Sequence, residues 1–189
     1  MAPRSGLAEK LGYTFERIDE FTFELFKNLE SAMAIYDESR VATIILRQFH
    51  GHGRAGQHTM PFSDLPTAVR SDLTAVLRCE PGELPVIAHY RSQDDWSVLT
   101  TRRLVARQES TLPSIAWSDL EDFKVDLNPV ADLPDPKEHL ATLTVVTRSG
   151  EKVTIATDPG PPFLAYWNCL IMATRMAAEE ENRRGADRG

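Results

Sequence analysis

Three histidines, His50, His52 and His58, share the short stretch H-G-H-G-R-A-G-Q-H. Imidazoles so close together could meet one zinc or nickel ion, because such cations take neutral nitrogen ligands. Against this, the stretch holds no Asp, Glu or Cys, and its glycines leave the backbone too free to pre-form a site. It therefore reads as an exposed, histidine-bearing linker, with a metal-dependent enzyme or sensor as the alternative. His89 and His139 stand alone and read as surface strand and loop residues.

Residues 51–56, G-H-G-R-A-G, carry the letters of a dinucleotide-binding loop without its context. Such a loop follows a parallel strand and opens a helix, whereas here a helical pattern precedes and Pro61 follows. Cys79 and Cys169 have neither C-x-x-C spacing nor a neighbour that would activate a thiolate, so they read as free thiols in a reducing compartment. Cys169 lies off the main apolar stripe of its helix, which predicts partial exposure. No nucleophile with a base and no hydrolase motif is present, and no cofactor is expected. Two acidic groups remain, Asp94 and Asp95 beside Trp96, and Asp119, Glu121 and Asp122 in the turn S-D-L-E-D. Carboxylates in turns cap and solvate, or meet a basic partner.

The elements that position these groups change in kind along the chain. Phe15, Ile18, Phe21, Leu25, Phe26, Leu29, Met33 and Tyr36 recur at helical spacing and predict a helix whose aromatic stripe is buried in the core or in a homodimer. Residues 41–49 suit helix or strand; helix is favoured, with Asp37 and Ser39 as caps. Leu65, Val69, Leu73, Val76 and Leu77 predict another helix, capped by Ser63 with Pro66 in its first turn. Short alternating segments then predict strands at 86–90, 96–100, 103–107, 114–117, 123–127, 140–147 and 152–157. The last two form the clearest hairpin, Leu143 and Val145 facing Val153 and Ile155 across R-S-G-E. Phe163, Tyr166, Trp167, Leu170 and Ile171 then stripe one face of a C-terminal helix.

Seven strands closed by such a helix outline a pleckstrin-homology-like barrel. D-D-W-S-V-L-T-T-R-R-L-V-A-R, residues 94–107, resembles the "v-L-T-n-r-R-l-v" signature of bacterial PH-like and GRAM-type domains. I-A-W-S-D-L-E-D-F-K-V, residues 115–125, is similar to the step that follows it. The resemblance covers roughly residues 84–178 and implies an α+β fold, a PH-like antiparallel β-barrel closed by the helix and preceded by an N-terminal helical segment. The division expected is 1–80 helical, 81–178 barrel with helix, and 179–189 flexible tail. Lipid-binding members use a basic loop between the first two strands. Here that loop is R-S-Q-D-D, whose acids would repel a phosphate, so membrane recruitment is the weaker reading. Arg102 and Arg103 read as solvated surface, and the three tryptophans, Trp96, Trp117 and Trp167, as core anchors, with Trp96 alternatively an interaction anchor at the barrel mouth.

A formal charge of -7 disfavours nucleic acid and anionic membrane as partners and suits a basic protein. The opening M-A-P-R-S-G-L-A-E-K lacks the apolar run of a secretory signal, so a cytoplasmic location is expected. The sequence thus reads as a non-enzymatic bacterial immunity or adaptor protein. Asp94, Asp95, Trp96, Asp119, Glu121 and Asp122 are its expected contacts.

Overall fold

A computed structural model describes residues 38–108 and 111–186 and gives an α+β fold. In chain order the elements are α1 (Glu38–His52), β1 (Thr59–Pro61), α2 (Thr67–Leu77), β2 (Pro85–Ser92), β3 (Asp95–Thr100) and β4 (Arg103–Gln108). They continue with β5 (Ser114–Ala116), β6 (Leu120–Lys124), β7 (Thr142–Thr147), β8 (Lys152–Ala156) and α3 (Pro161–Ala186). Strands β1 to β5 form one antiparallel sheet in sequence order, and β6 to β8 form a second. Among the described residues no strand pairing joins the two sheets, so the architecture is two open sheets rather than the expected closed barrel. The helix predicted over residues 15–36, and the dimer contact expected of it, lie outside the described residues.

Period-2 alternation explains how β3 serves two layers at once. Trp96 and Val98 point to one side, where with Ala88, Val105, Phe62, Leu65, Leu73 and Leu77 they form a core between the first sheet and α2. Ser97 and Leu99 point to the other, where the Ser97 hydroxyl bonds the Tyr166 hydroxyl of α3 at 3.0 Å. Leu99, Val145, Ile155, Phe163, Tyr166 and Leu170 are all buried. Helix α3 is therefore covered on nearly every side through its first four turns, with α1, β1 and the 3-10 turn Trp117–Asp119 against it. This broad burial corrects the reading of Cys169, which is fully buried and donates its thiol to the Ile45 carbonyl at 3.5 Å. Trp167 and Ile171, expected on the core stripe, are only half-buried.

The ambiguous stretch 41–49 is helix, with Val41, Ile45 and Phe49 buried. Of the two predicted caps, Ser39 falls within α1, and Asp37 lies outside the described residues. Helix α2 begins later than expected because Pro66, at φ -53° and ψ 141°, holds the backbone extended and occupies the N-cap. Ser63 instead sits in a 3-10 turn, donating to Asp64. The fifth strand, expected at 123–127, is Leu120–Lys124, because only W-S-D forms the turn and L-E-D already pairs with β7. The hairpin register is as predicted, Leu143 opposite Ile155 and Val145 opposite Val153, with Gly150 supplying φ +85° in the turn. The expected frayed tail is helical to Ala186, where Glu180 pairs with Arg183 and Arg184, and Glu181 reaches Arg148 of the hairpin turn. The compact unit begins at Glu38, so the boundary expected at 80/81 falls inside it, between α2 and β2.

Two of the glycines of G-H-G-R-A-G, Gly53 and Gly56, serve close approach. A Cβ on Gly53 would lie 2.2 Å from the Pro161 carbonyl oxygen, and one on Gly56 would lie 2.2 Å from Asp158 Oδ2. Gly51, in the last turn of α1, has open space around it. Gly53→Ala is therefore expected to lower stability by roughly 1–3 kcal/mol, since backbone must move to admit the methyl. Gly51→Ala should leave stability unchanged or raise it by up to about 1 kcal/mol through helix propensity. Thermal melts of the two variants beside the parent check both signs.

Candidate functional site

The three clustered histidines go to different places. His50 is exposed on the last turn of α1, His52 is half-buried there, and His58 lies beyond the connection, just before β1. Burial holds the His52 imidazole below its usual titration range. Among the described residues no group of three or more His, Cys, Asp or Glu side chains is placed to hold a metal ion. The stretch is not the free linker it reads as, since its first three residues end a helix and its last is pinned from the far end of the chain. Asp158, in the turn before α3, accepts the backbone N–H of His58 at 2.6 Å and of Thr59 at 2.7 Å through Oδ2. Its own N–H donates to the Thr59 hydroxyl at 2.9 Å.

That hydroxyl also meets Nδ1 of His89 at 2.9 Å. His89 is 2 % exposed, which corrects the expectation of a surface histidine. Strand alternation explains the reversal: His89 is the cross-strand partner of Ser97 and shares its inward face, along with Ile87. The Thr59 oxygen accepts from Asp158 and has a second lone pair, so its contact with His89 Nδ1 serves either neutral tautomer of the ring. Nε2 is buried and without a hydrogen-bond partner. The His58 ring stands edge-on at 6.1 Å, with its Nδ1 bonded to the Tyr90 carbonyl at 3.1 Å.

At the opposite end of the first sheet, the residues of L-T-T-R-R form a second polar centre. The Thr100 hydroxyl donates to Glu83 Oε1 at 2.7 Å, and its oxygen accepts the N–H groups of Arg102 and Arg103. Thr101 Oγ1 accepts the Leu84 N–H. Arg103 forks onto Glu83, Nε to Oε1 at 2.8 Å and Nη2 to Oε2 at 3.1 Å, while Nη2 also reaches the Leu77 carbonyl at the end of α2. Arg102 binds Glu38 and Glu80. The two arginines, read as solvated surface, are structural ties. Leu99 and Leu104 pair across this turn, both buried.

The expected contact residues divide by sheet. Asp94 and Asp95 stand at the turn from β2 to β3, where Arg107 lies 3.9 Å from Asp94 and Arg91 lies 4.0 Å from Asp95. Trp96 is 3 % exposed in the α2 core and offers no indole face to a partner, which corrects its reading as an interaction anchor. Asp119, Glu121 and Asp122 are exposed on the second sheet and its approach. They open a longer acidic run that the sequence reading did not single out: Asp126, Asp132, Asp135 and Glu138 are exposed as well, against Lys124 and Lys137. Buried Leu120, Val125, Val130 and Leu140 pin this run to the body.

Sequence reasoning missed Asp158, Thr59 and Glu83, whose partners are far away along the chain. The signal that could have found the first was D-P-G-P-P, an acid ahead of a helix start. No protein-family model, curated protein or solved structure matches the chain. Among the described residues no helix is long and apolar enough to cross a membrane.

Proposed function

We propose that this chain is a non-enzymatic, cytoplasmic interaction protein of bacteria, in which a PH-like scaffold of two antiparallel sheets and a C-terminal helix presents residues 119–138 to a basic protein. The reading of an immunity or adaptor protein belongs to the same proposal. The observation that carries it is the acidic run itself: seven exposed carboxylates against two lysines, on a backbone fixed by buried side chains every five to ten residues. Charges held in place steer a partner of opposite sign and lose less entropy on docking than charges on a free chain. The turn geometry of L-T-T-R-R, which makes the ties described above, supports the PH-like scaffold.

Capture from a lysate of the native cell tests the proposal. The intact protein is expected to retain a basic protein. Retention should fall about tenfold or more in a Asp119→Lys, Glu121→Lys, Asp122→Lys variant, and on raising salt from about 0.05 to about 0.5 M, which shortens the screening length. Reversal of Asp64 and Asp72 near α2 should leave it unchanged. Undiminished capture by the triple variant would refute the docking surface.

A further inference from the structure

The cluster of His58, Thr59, His89 and Asp158 ties together four segments: the connection from α1, strand β1, strand β2 and the turn that launches α3. β1 is an edge strand of three residues, paired only with β2. Two side chains add to that pairing: Asp158 accepts the Thr59 N–H and that of His58 just before the strand, and His89 meets the Thr59 hydroxyl. We propose that this cluster is an acid-sensitive latch, in which protonation of His89 releases β1 and the connection before it from the edge of the first sheet.

The hydrogen-bond polarity makes the device work. In the neutral state the Asp158 N–H donates to the Thr59 oxygen, and the Thr59 hydroxyl and His89 Nδ1 share one hydrogen between them. Protonation, from either neutral tautomer, makes both ring nitrogens donors. The Thr59 hydroxyl, fully buried, must then turn its hydrogen away from the ring, and the new imidazolium has no partner at Nε2. The charged groups around it act both ways: Asp95 and Asp158 favour the cation, while His58 and Arg91 oppose it. On the α3 side, Ser97 is occupied by the Tyr166 hydroxyl, and burial keeps both that hydroxyl and the Cys169 thiol neutral, so neither supplies an anion. Burial outweighs the carboxylates and holds His89 below its usual range.

The sign follows from linkage. A base depressed in the closed state binds protons more readily once opened and hydrated. The closed state is then fully favoured above about pH 6.5, and the opening constant rises by up to about tenfold for each pH unit below that, until the depressed value is passed. Lifting β1 costs three residues of edge pairing and hydrates the ring, whereas the β7–β8 hairpin has no such linkage.

Amide hydrogen exchange of the intact chain, corrected for intrinsic rate, tests this between pH 7.5 and pH 5.5. Protection at His58, Thr59 and Tyr90 is expected to fall several-fold to about tenfold more than in the β7–β8 hairpin. His89→Gln, whose side-chain carbonyl can still accept from Thr59, should remove the excess, and His58→Gln should keep it. Equal loss in both sheets, no excess loss, or an excess that persists in His89→Gln would overturn the latch. If His89→Gln does not fold, nuclear magnetic resonance titration of the parent decides. The His89 ring is expected to titrate in step with the Thr59 amide, and a ring that titrates without moving it would refute the proposal.

Discussion

Arg103→Ala is expected to lower the free energy of unfolding by roughly 3–5 kcal/mol, and Glu83→Ala by a similar amount. The Glu83 side chain is 1 % exposed and Arg103 25 %, so removing either leaves a desolvated charge behind. The loss spreads beyond the pair, because the same guanidinium holds the Leu77 carbonyl at the end of α2 and the Ser114 hydroxyl on β5. Lysine cannot reproduce the fork, so Arg103→Lys should recover only part of the loss. Replacing both, as Glu83→Leu with Arg103→Met, should cost much less than the sum, since no uncompensated charge remains. Urea titration checks the series, with the midpoint falling at constant slope. A loss under about 1 kcal/mol for either single variant would show the pair to behave like a surface ion pair.

The same centre sets a pH dependence. Burial alone would raise the Glu83 carboxyl, but the bonds from Arg103 and Thr100 win and hold it below the usual carboxylate range. Its contribution is therefore complete above the unfolded value of about 4.3 and is lost as pH falls through the lower folded value. On acidification the His89 contribution starts to fall at about pH 6.5 and that of Glu83 only below about 4.3, so the His89 centre responds first.

Phe49→Ala carries the second large effect, about 3–5 kcal/mol, the usual range for emptying a phenylalanine site. Phe49 is fully buried on the same face of α1 as Ile45, whose carbonyl accepts the Cys169 thiol of α3. If α1 belongs to the same cooperative unit as the sheets, the loss must appear in every probe. Helical circular dichroism and tryptophan fluorescence, which reports Trp96 and Trp117 in the core and Trp167 on α3, should shift together. Fluorescence unmoved while helical signal falls early would show that α1 melts alone.

The contrast between what was legible and what was not is physical. The hairpin around Gly150 was readable, its first strand expected to start two residues too early and its second to end one residue too late, because alternation and a turn glycine are local signals. The C-terminal helix was readable too, but its stripe was not: Cys169 lies off the large apolar residues and is buried because α1 covers that side. His89 looked like a surface residue since a polar ring within a strand usually faces water. Only the pairing of Thr59, thirty residues before it, and Asp158, far after it, makes an interior place for that ring. Arg103 failed for the same reason, its carboxylate lying across a turn and not at a sequence neighbour's distance. The acidic turn 119–122 was found, while its extension to Glu138 hid among prolines that read as loop.

The pairing of α1 with α3 joins the first described element to the last. During synthesis, then, the oily side of α1 must wait for its cover until the ribosome has made the final helix, a delay on the order of ten seconds at ordinary elongation rates. Through that interval Val41, Ile45 and Phe49 are bait for chaperones and for other nascent chains. Truncation ahead of α3 makes the delay permanent, so a stop codon there would yield insoluble protein instead of a shorter working one.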